Sequence, residues 1–185
     1  MQTVNSFARA ITKARVPKAI AQIGLALTHC VGELVGTDFS APVDVFQERC
    51  RFYVGQILAN LVLLGGQSDI SLHDVAREGL PSAVRYRDIA LEFLFYQQQV
   101  INFAPPQTRT TYLLWLCTGA GEITYRVYEF TILGISDESR NEARVQLFNS
   151  MVRFLQVLAL ICGAVGLDLS AIAQQEVERQ GQKVS

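Results

Sequence analysis

The sequence predicts an all-α protein, a helical bundle built from two copies of one helical unit related by an approximate two-fold rotation. Three observations carry this. Gly55–Val75 aligns without a gap on Val152–Ile172, so that Ile57 falls on Phe154, Leu58 on Leu155, Leu61 on Leu158, Leu64 on Ile161, Ile70 on Leu167 and Leu72 on Leu169. A second matched pair lies upstream, Leu27-Thr-His-Cys-Val-Gly-Glu-Leu34 and Leu116-Cys-Thr-Gly-Ala-Gly-Glu-Ile123. No stretch shows the sustained period-two alternation of a strand, whereas apolar residues recur at helical spacing throughout. Internal repetition of this length sets the fold before other arguments apply. The two units are expected to span 1–80 and 81–185, packed as one body, with Gly79-Leu80-Pro81 as the boundary.

The elements follow in order. Val4, Phe7, Ala8 and Ile11 mark one face of a first helix over Val4–Ala14, with Arg9, Lys13, Arg15 and Lys18 on a solvated side. Pro17 suits the first turn of a second helix. Ile20, Ile23, Leu27, Cys30, Val31 and Leu34 form its stripe to about Val35, and a loop containing Pro42 runs to Asp44. Val45–Leu64 reads as a long helix, apolar nearly all round in its second half and stopped by Gly65-Gly66. Asp69 or Ser71 can cap a short helix from Leu72 to about Glu78. Ser82 opens a helix from Ala83 to about Phe103, with Arg85, Arg87, Gln97, Gln98 and Gln99 on its polar side. Pro105-Pro106 ends it. A helix from Thr110 to about Leu133 stops at Gly134. A second long helix spans Glu138 to Val165, and Ser170 opens a last helix to about Gln180 before a polar, frayed tail.

Half the residues are apolar, 18% are charged and the net charge is −1. So low a charge points to apolar surface buried between the units, between copies of the chain or against a protein partner. A nearly neutral chain has no field to gather nucleic acid or an anionic membrane. The longest apolar run, Phe154–Leu169, is broken by Gln156 and Asp168. It falls short of the roughly 18 apolar residues of a spanning helix. Cys30, Cys50, Cys117 and Cys162 lie in apolar helical patterns without metal-type spacing, which reads as core thiols in a reducing compartment. With no signal-peptide pattern at Met1–Ile11, the expected setting is the cytoplasm. The only histidines are His29 and His73, and no Ser-His-Asp set, metal cluster or phosphate loop is visible.

The shared pattern runs helix with x-Gly-Glu-[Leu/Ile], loop, long helix, then an apolar-x-Leu start (Ile70-Ser-Leu72 and Leu167-Asp-Leu169, the latter preceded by Gly166) and a short helix. It resembles the MazG-like all-α nucleotide pyrophosphohydrolase superfamily, over two units near 20–80 and 110–180. In that family E-E-x-x-E on one helix and E-x-x-D on the next put carboxylates on facing surfaces, one turn apart. They hold Mg²⁺ against a triphosphate, from which water releases pyrophosphate.

This chain departs from the family at those positions. The places of E-E-x-x-E hold His29, Cys30, Val31, Gly32 and Glu33, then Thr118, Gly119, Ala120, Gly121 and Glu122. Those of E-x-x-D hold Tyr53, Val54, Gly55 and Gln56, then Ser150, Met151, Val152 and Arg153. One acid per unit remains, where Mg²⁺ requires several oxygen ligands. The resemblance therefore implies a catalytically inactive bundle with no metal or other cofactor and no catalytic residues. Such a protein would act by binding a protein partner, a second copy or a nucleotide without turnover. His29, Glu33, Gln56 and Asn60 would line one nucleotide pocket and Glu122 and Arg153 the other, unless an Arg153–Glu122 pair closes it. The alternatives are a Mg²⁺-dependent nucleoside triphosphate pyrophosphohydrolase with an unrecognised site, and an unrelated helical scaffold.

Overall fold

The structure, a computed structural model, describes residues 2–14, 19–36, 42–85, 91–131 and 136–182. Among these residues the chain is all-α. Its helices are α1 (Val4–Ala14), α2 (Ile20–Val35), α3 (Val43–Ser68), α4 (Leu72–Glu78), α5 (Ser82–Arg85), α6 (Phe93–Phe103), α7 (Arg109–Thr131), α8 (Asp137–Ala164) and α9 (Leu169–Gln182). Short polar side chains start several of them. Thr3 accepts from the Ser6 amide at 3.1 Å, Ser71 from His73 at 3.2 Å and Ser136 from Ser139 at 3.2 Å. The α1 face of Val4, Phe7 and Ile11 is fully buried, as its spacing requires.

The same local events recur at two fixed separations. Val4 and Phe93 open helices 89 residues apart, and Ile20 and Arg109 do the same. Leu72 and Leu169 open the short helices α4 and α9, 97 residues apart. The break before each is also shared. Asp69 and Gly166 are the positive-φ residues of the described chain, at 54° and 69°. The Ile70 amide donates to the Gly65 carbonyl at 2.8 Å, and the Leu167 amide to the Cys162 carbonyl at 2.8 Å. Ser71 caps by accepting from His73, and Asp168 by accepting from Ser170 at 2.7 Å. Where α1 and α6 begin, Thr3 forms an antiparallel bridge with Glu92. The Val4 amide donates to Leu91 and the Phe93 amide to Gln2, the reciprocal pair of an antiparallel bridge.

Packing interlocks the two sets. α2 lies on α3 and α7 on α8, and α2 packs against α7 at the centre, where Thr28 and Thr124 hydroxyls meet at 2.8 Å. The short helices cross over: α9 packs on α3 and α4 on α8. Leu58, Leu61, Leu155 and Leu158 are fully buried in the shared core.

Several local expectations are corrected. α3 begins at Val43 and runs through Gly65-Gly66 to Ser68. The chain folds back so tightly after it that a Cβ on Gly65 would lie 2.3 Å from the Ile70 carbonyl oxygen. The stop is the left-handed Asp69 rather than the glycine pair. The single helix expected over Ala83–Phe103 is two, because Leu91 and Glu92 are extended against the N-terminal strand-like residues. Gln97 is buried rather than polar surface, and Cys117 is exposed, unlike the other three thiols. α8 is long and apolar enough to cross a membrane, but more than half of its most apolar stretch is buried inside this bundle. The roles given to Arg15, Pro17, Lys18, Arg87 and Gly134, and most of the loop to Asp44, fall outside the described residues.

Candidate functional site

Each Gly-Glu helix faces its long helix, so the sequence-predicted residues come together in two clusters. In the first, Glu33 accepts from the Tyr53 hydroxyl at 3.3 Å. Partial desolvation, then the Glu33 carboxylate, pushes the Tyr53 phenol above its ordinary range. Behind them the Cys30 sulfur lies 4.0 Å from Gln56 Oε1 and 4.0 Å from Asn60 Nδ2. Asn60 is only 3% exposed, so it belongs to the helix interface and not to an open pocket wall. His29 stands on the exposed face of α2.

The second cluster is built differently. From α7, Trp115, Thr118, Gly119 and Glu122 share one face at i, i+3, i+4 and i+7. With Arg153, Phe154, Val157 and Leu160 of α8 they line a cavity of about 320 Å³. Gly119 lets the helices approach here, since a Cβ would fall 2.8 Å from Phe154 Cδ2. Its counterpart in the first cluster is Cys30, and the counterpart of Val157 is Asn60. The Arg153 guanidinium donates to Glu122 Oε2 at 2.8 Å. The pair is not buried: the Arg153 side chain is 64% exposed and that of Glu122 43%. The pair that was expected as a possible closure is thus formed, and both of its side chains are among those lining the cavity. A further space of about 470 Å³, beneath the Gly79–Ala83 turn, shares Gln156 and Leu160 with it.

The crossed short helices add residues that the sequence did not reveal. Glu176 of α9 is 3% exposed and lies against Gly55, where a Cβ would be 3.2 Å from its Oε2. Arg179 Nε and Gln180 Nε2 donate to its carboxylate at 2.8 and 2.6 Å. The Arg179 guanidinium also lies 4.7 Å from the centre of the Phe52 ring, an attractive cation–π contact. On α3 this group touches Phe52 and Gly55, next in sequence to Tyr53 and Gln56. On the other side, Gln156 donates to the Gly79 carbonyl at 2.8 Å, tying the end of α4 to the second cluster. The run Gln174-Gln175-Glu176-Val177-Glu178-Arg179-Gln180 is almost wholly polar, yet Glu176 is buried, close against Gly55.

Among the described residues no three His, Cys, Asp or Glu side chains converge so as to hold a metal ion. Glu33 and Glu122 stand alone at the positions the resemblance would give to ligands, each already engaged by a neighbour on the long helix. That donor set does not fit Mg²⁺, which takes several oxygens in octahedral array. What the second cluster can do is hold an apolar group in the cavity and present one guanidinium to an anion. Compared with known proteins, the chain matches no family model, no curated protein and no solved structure.

Proposed function

We propose that this chain is a non-catalytic MazG-like helical protein, a fused pseudo-dimer that binds a nucleotide without hydrolysing it. The observation that carries the reading is the Glu122–Arg153 pair among the residues lining the α7–α8 cavity. A carboxylate cluster fixes metal and orients water in a pyrophosphohydrolase. Here one carboxylate remains, its charge is offset by a guanidinium, and a ligand-sized apolar space persists beside it. The recurrence of helix starts, turns and caps at separations of 89 and 97 residues supports descent from a doubled unit. The four free cysteines fit a reducing, cytoplasmic setting.

Binding of a protein partner is a second reading, favoured by the outer face of α7. Leu114, Tyr125 and Tyr128 lie along it at i, i+11 and i+14 and are 60%, 56% and 63% exposed. Titration calorimetry against ribo- and deoxyribonucleotides, with and without Mg²⁺ and followed by product analysis, tests the proposal. Saturable binding with unaltered nucleotide is expected. Metal-dependent release of pyrophosphate would replace this reading by the active-enzyme one, and the absence of any nucleotide binding would leave the partner reading.

A further inference from the structure

We propose that the groove between the end of α3 and the start of α8 binds a free α-amino acid as its zwitterion, with the carboxylate on Arg140 and Arg144 and the ammonium on the Asp69 side. The groove shares no lining residue with the α7–α8 cavity and does not depend on the nucleotide reading. Arg144 and Arg153 are separated along α8 by roughly 14 Å at 1.5 Å per residue.

Ser68 is the last residue of α3 and lines this groove, a space of about 390 Å³. It is 2% exposed, and its hydroxyl has no hydrogen-bond partner. Buried polar groups are nearly always paired, because an unpaired one destabilises the fold. Packing does not require a hydroxyl here. In the register that aligns α3 with α8, the counterpart of Ser68 is Val165, which is also buried. The same register accounts for the open space. At Gly163 a Cβ would overlap the Ile101 side chain, whereas nothing lies within 4 Å of a Cβ on its counterpart Gly66. Gln47 donates to the Val165 carbonyl at 2.6 Å and ties the turn after α8 to α3. Its counterpart Arg144 reaches only the side chains of Asp69 and Asn141.

The two walls differ in charge. α8 presents Arg140 and Arg144 one turn apart on one face. Arg144 spends two of its five N–H donors, on Asp69 at 3.3 Å and on Asn141 at 3.1 Å. The two guanidiniums thus keep donors for a carboxylate, which a planar fork can grip with two bonds. Opposite them, α3 ends in carbonyls at the negative pole of its dipole, followed by the Asp69 carboxylate, which is 95% exposed. This wall favours an ammonium. Asp137 also lines the groove, so its two guanidiniums are matched by two carboxylates. A simple anion or a simple cation meets attraction on one side and repulsion on the other, whereas a zwitterion is attracted by both. The Ser68 hydroxyl, donor and acceptor at once, gains from the ligand the partner it lacks. Phe130, half-buried, offers apolar surface to the ligand's side chain.

Calorimetry of the full chain against L-leucine and L-phenylalanine tests this, with N-acetyl-leucine, leucinamide and inorganic phosphate as probes of a single charge. Both amino acids are expected to saturate at one equivalent per chain. Each single-charge probe is expected to bind about tenfold more weakly or worse, since it forfeits a charged hydrogen bond. Arg140→Ala and Asp69→Asn, both at exposed positions, are expected to weaken leucine roughly tenfold each and to leave the urea midpoint in place. Ser68→Ala separates binding from stability. It is expected to weaken leucine roughly three- to tenfold while the urea midpoint stays the same or rises, because no native bond is lost. N-acetyl-leucine or phosphate binding as tightly as leucine would make this an anion site and overturn the proposal, and leucinamide binding as tightly would do the same. So would unchanged affinity in Ser68→Ala, or no saturable binding of either amino acid. None of these outcomes touches the nucleotide reading, whose residues lie elsewhere on α8.

Discussion

Replacing Gln97 by alanine removes a side chain that donates to the Leu167 carbonyl at 2.7 Å and accepts from the Leu169 amide at 2.8 Å. Both backbone groups are buried and lose their partner together, so a loss of about 2–4 kcal/mol is expected in urea unfolding. Tyr96 is the opposite case. It is fully buried, its hydroxyl has no partner, and burial raises its phenol far above the ordinary range. Tyr96→Phe is therefore expected to leave the protein as stable or more so. Cys162 titrates high as well, through its contact with Cys50 and then through burial. The unfolded chain releases these protons first, near the ordinary values of about 8.5 for a thiol and 10 for a phenol. Above about pH 9 the native state thus binds more protons than the unfolded one, and stability falls as pH rises. Urea midpoints from pH 7 to 11 should show that fall, and Tyr96→Phe should flatten it. None of these roles was legible in the sequence. Gln97 sits in a Gln-Gln-Gln run that gives no sign of which residue turns inward, and its two partners lie about seventy positions away.

At the scale of the element, helix phase and most boundaries could be read because they depend on local pattern. Leu61 and Leu158 were expected in the core and are fully buried; Leu61→Ala and Leu158→Ala should each cost about 2–5 kcal/mol. The breaks after α3 and α8 were less transparent. Gly65-Gly66 looks like a stop, yet the φ of +54° falls on Asp69, whereas after α8 a glycine, Gly166, itself holds the left-handed position. The left-handed conformation costs a residue with a Cβ roughly 1–2 kcal/mol. Asp69→Gly is accordingly expected to stabilise by up to about 1 kcal/mol and Gly166→Ala to destabilise by about 1–2 kcal/mol. Equal effects of the same sign at the two turns would contradict this account. The split between α5 and α6 was hidden for another reason: extended pairing of residues near 92 with those near 3 overrides local helix propensity, and pairing at that distance leaves no local signal.

At the scale of the molecule, the two sets of helices are interleaved and not side by side. α9 packs on α3, α4 on α8, α2 on α7, and the starts of α1 and α6 pair with each other. A fragment of residues 1–85 would leave the apolar faces of α2 and α3 uncovered, and residues 86–185 those of α7 and α8. Neither fragment is expected to unfold cooperatively alone, whereas an equimolar mixture should recover helical circular dichroism and a cooperative transition. The second cluster was legible because Glu122 and Arg153 fall within the matched segments, on helices whose phase is strongly written. The packing of α9 on α3 was not, because it depends on a crossover that pattern alone does not specify.

The reading of the chain as a binder and not an enzyme rests on the carboxylate count at the two clusters, and one assay addresses it directly. The purified protein is incubated with each common ribo- and deoxyribonucleoside triphosphate in Mg²⁺ or Mn²⁺, and pyrophosphate release is measured. With Glu33 held by Tyr53 and Glu122 by Arg153, no release above the metal-only control is expected. Metal-dependent release that disappears in Glu33→Gln or Glu122→Gln would contradict the account and assign those glutamates to an active pyrophosphohydrolase site.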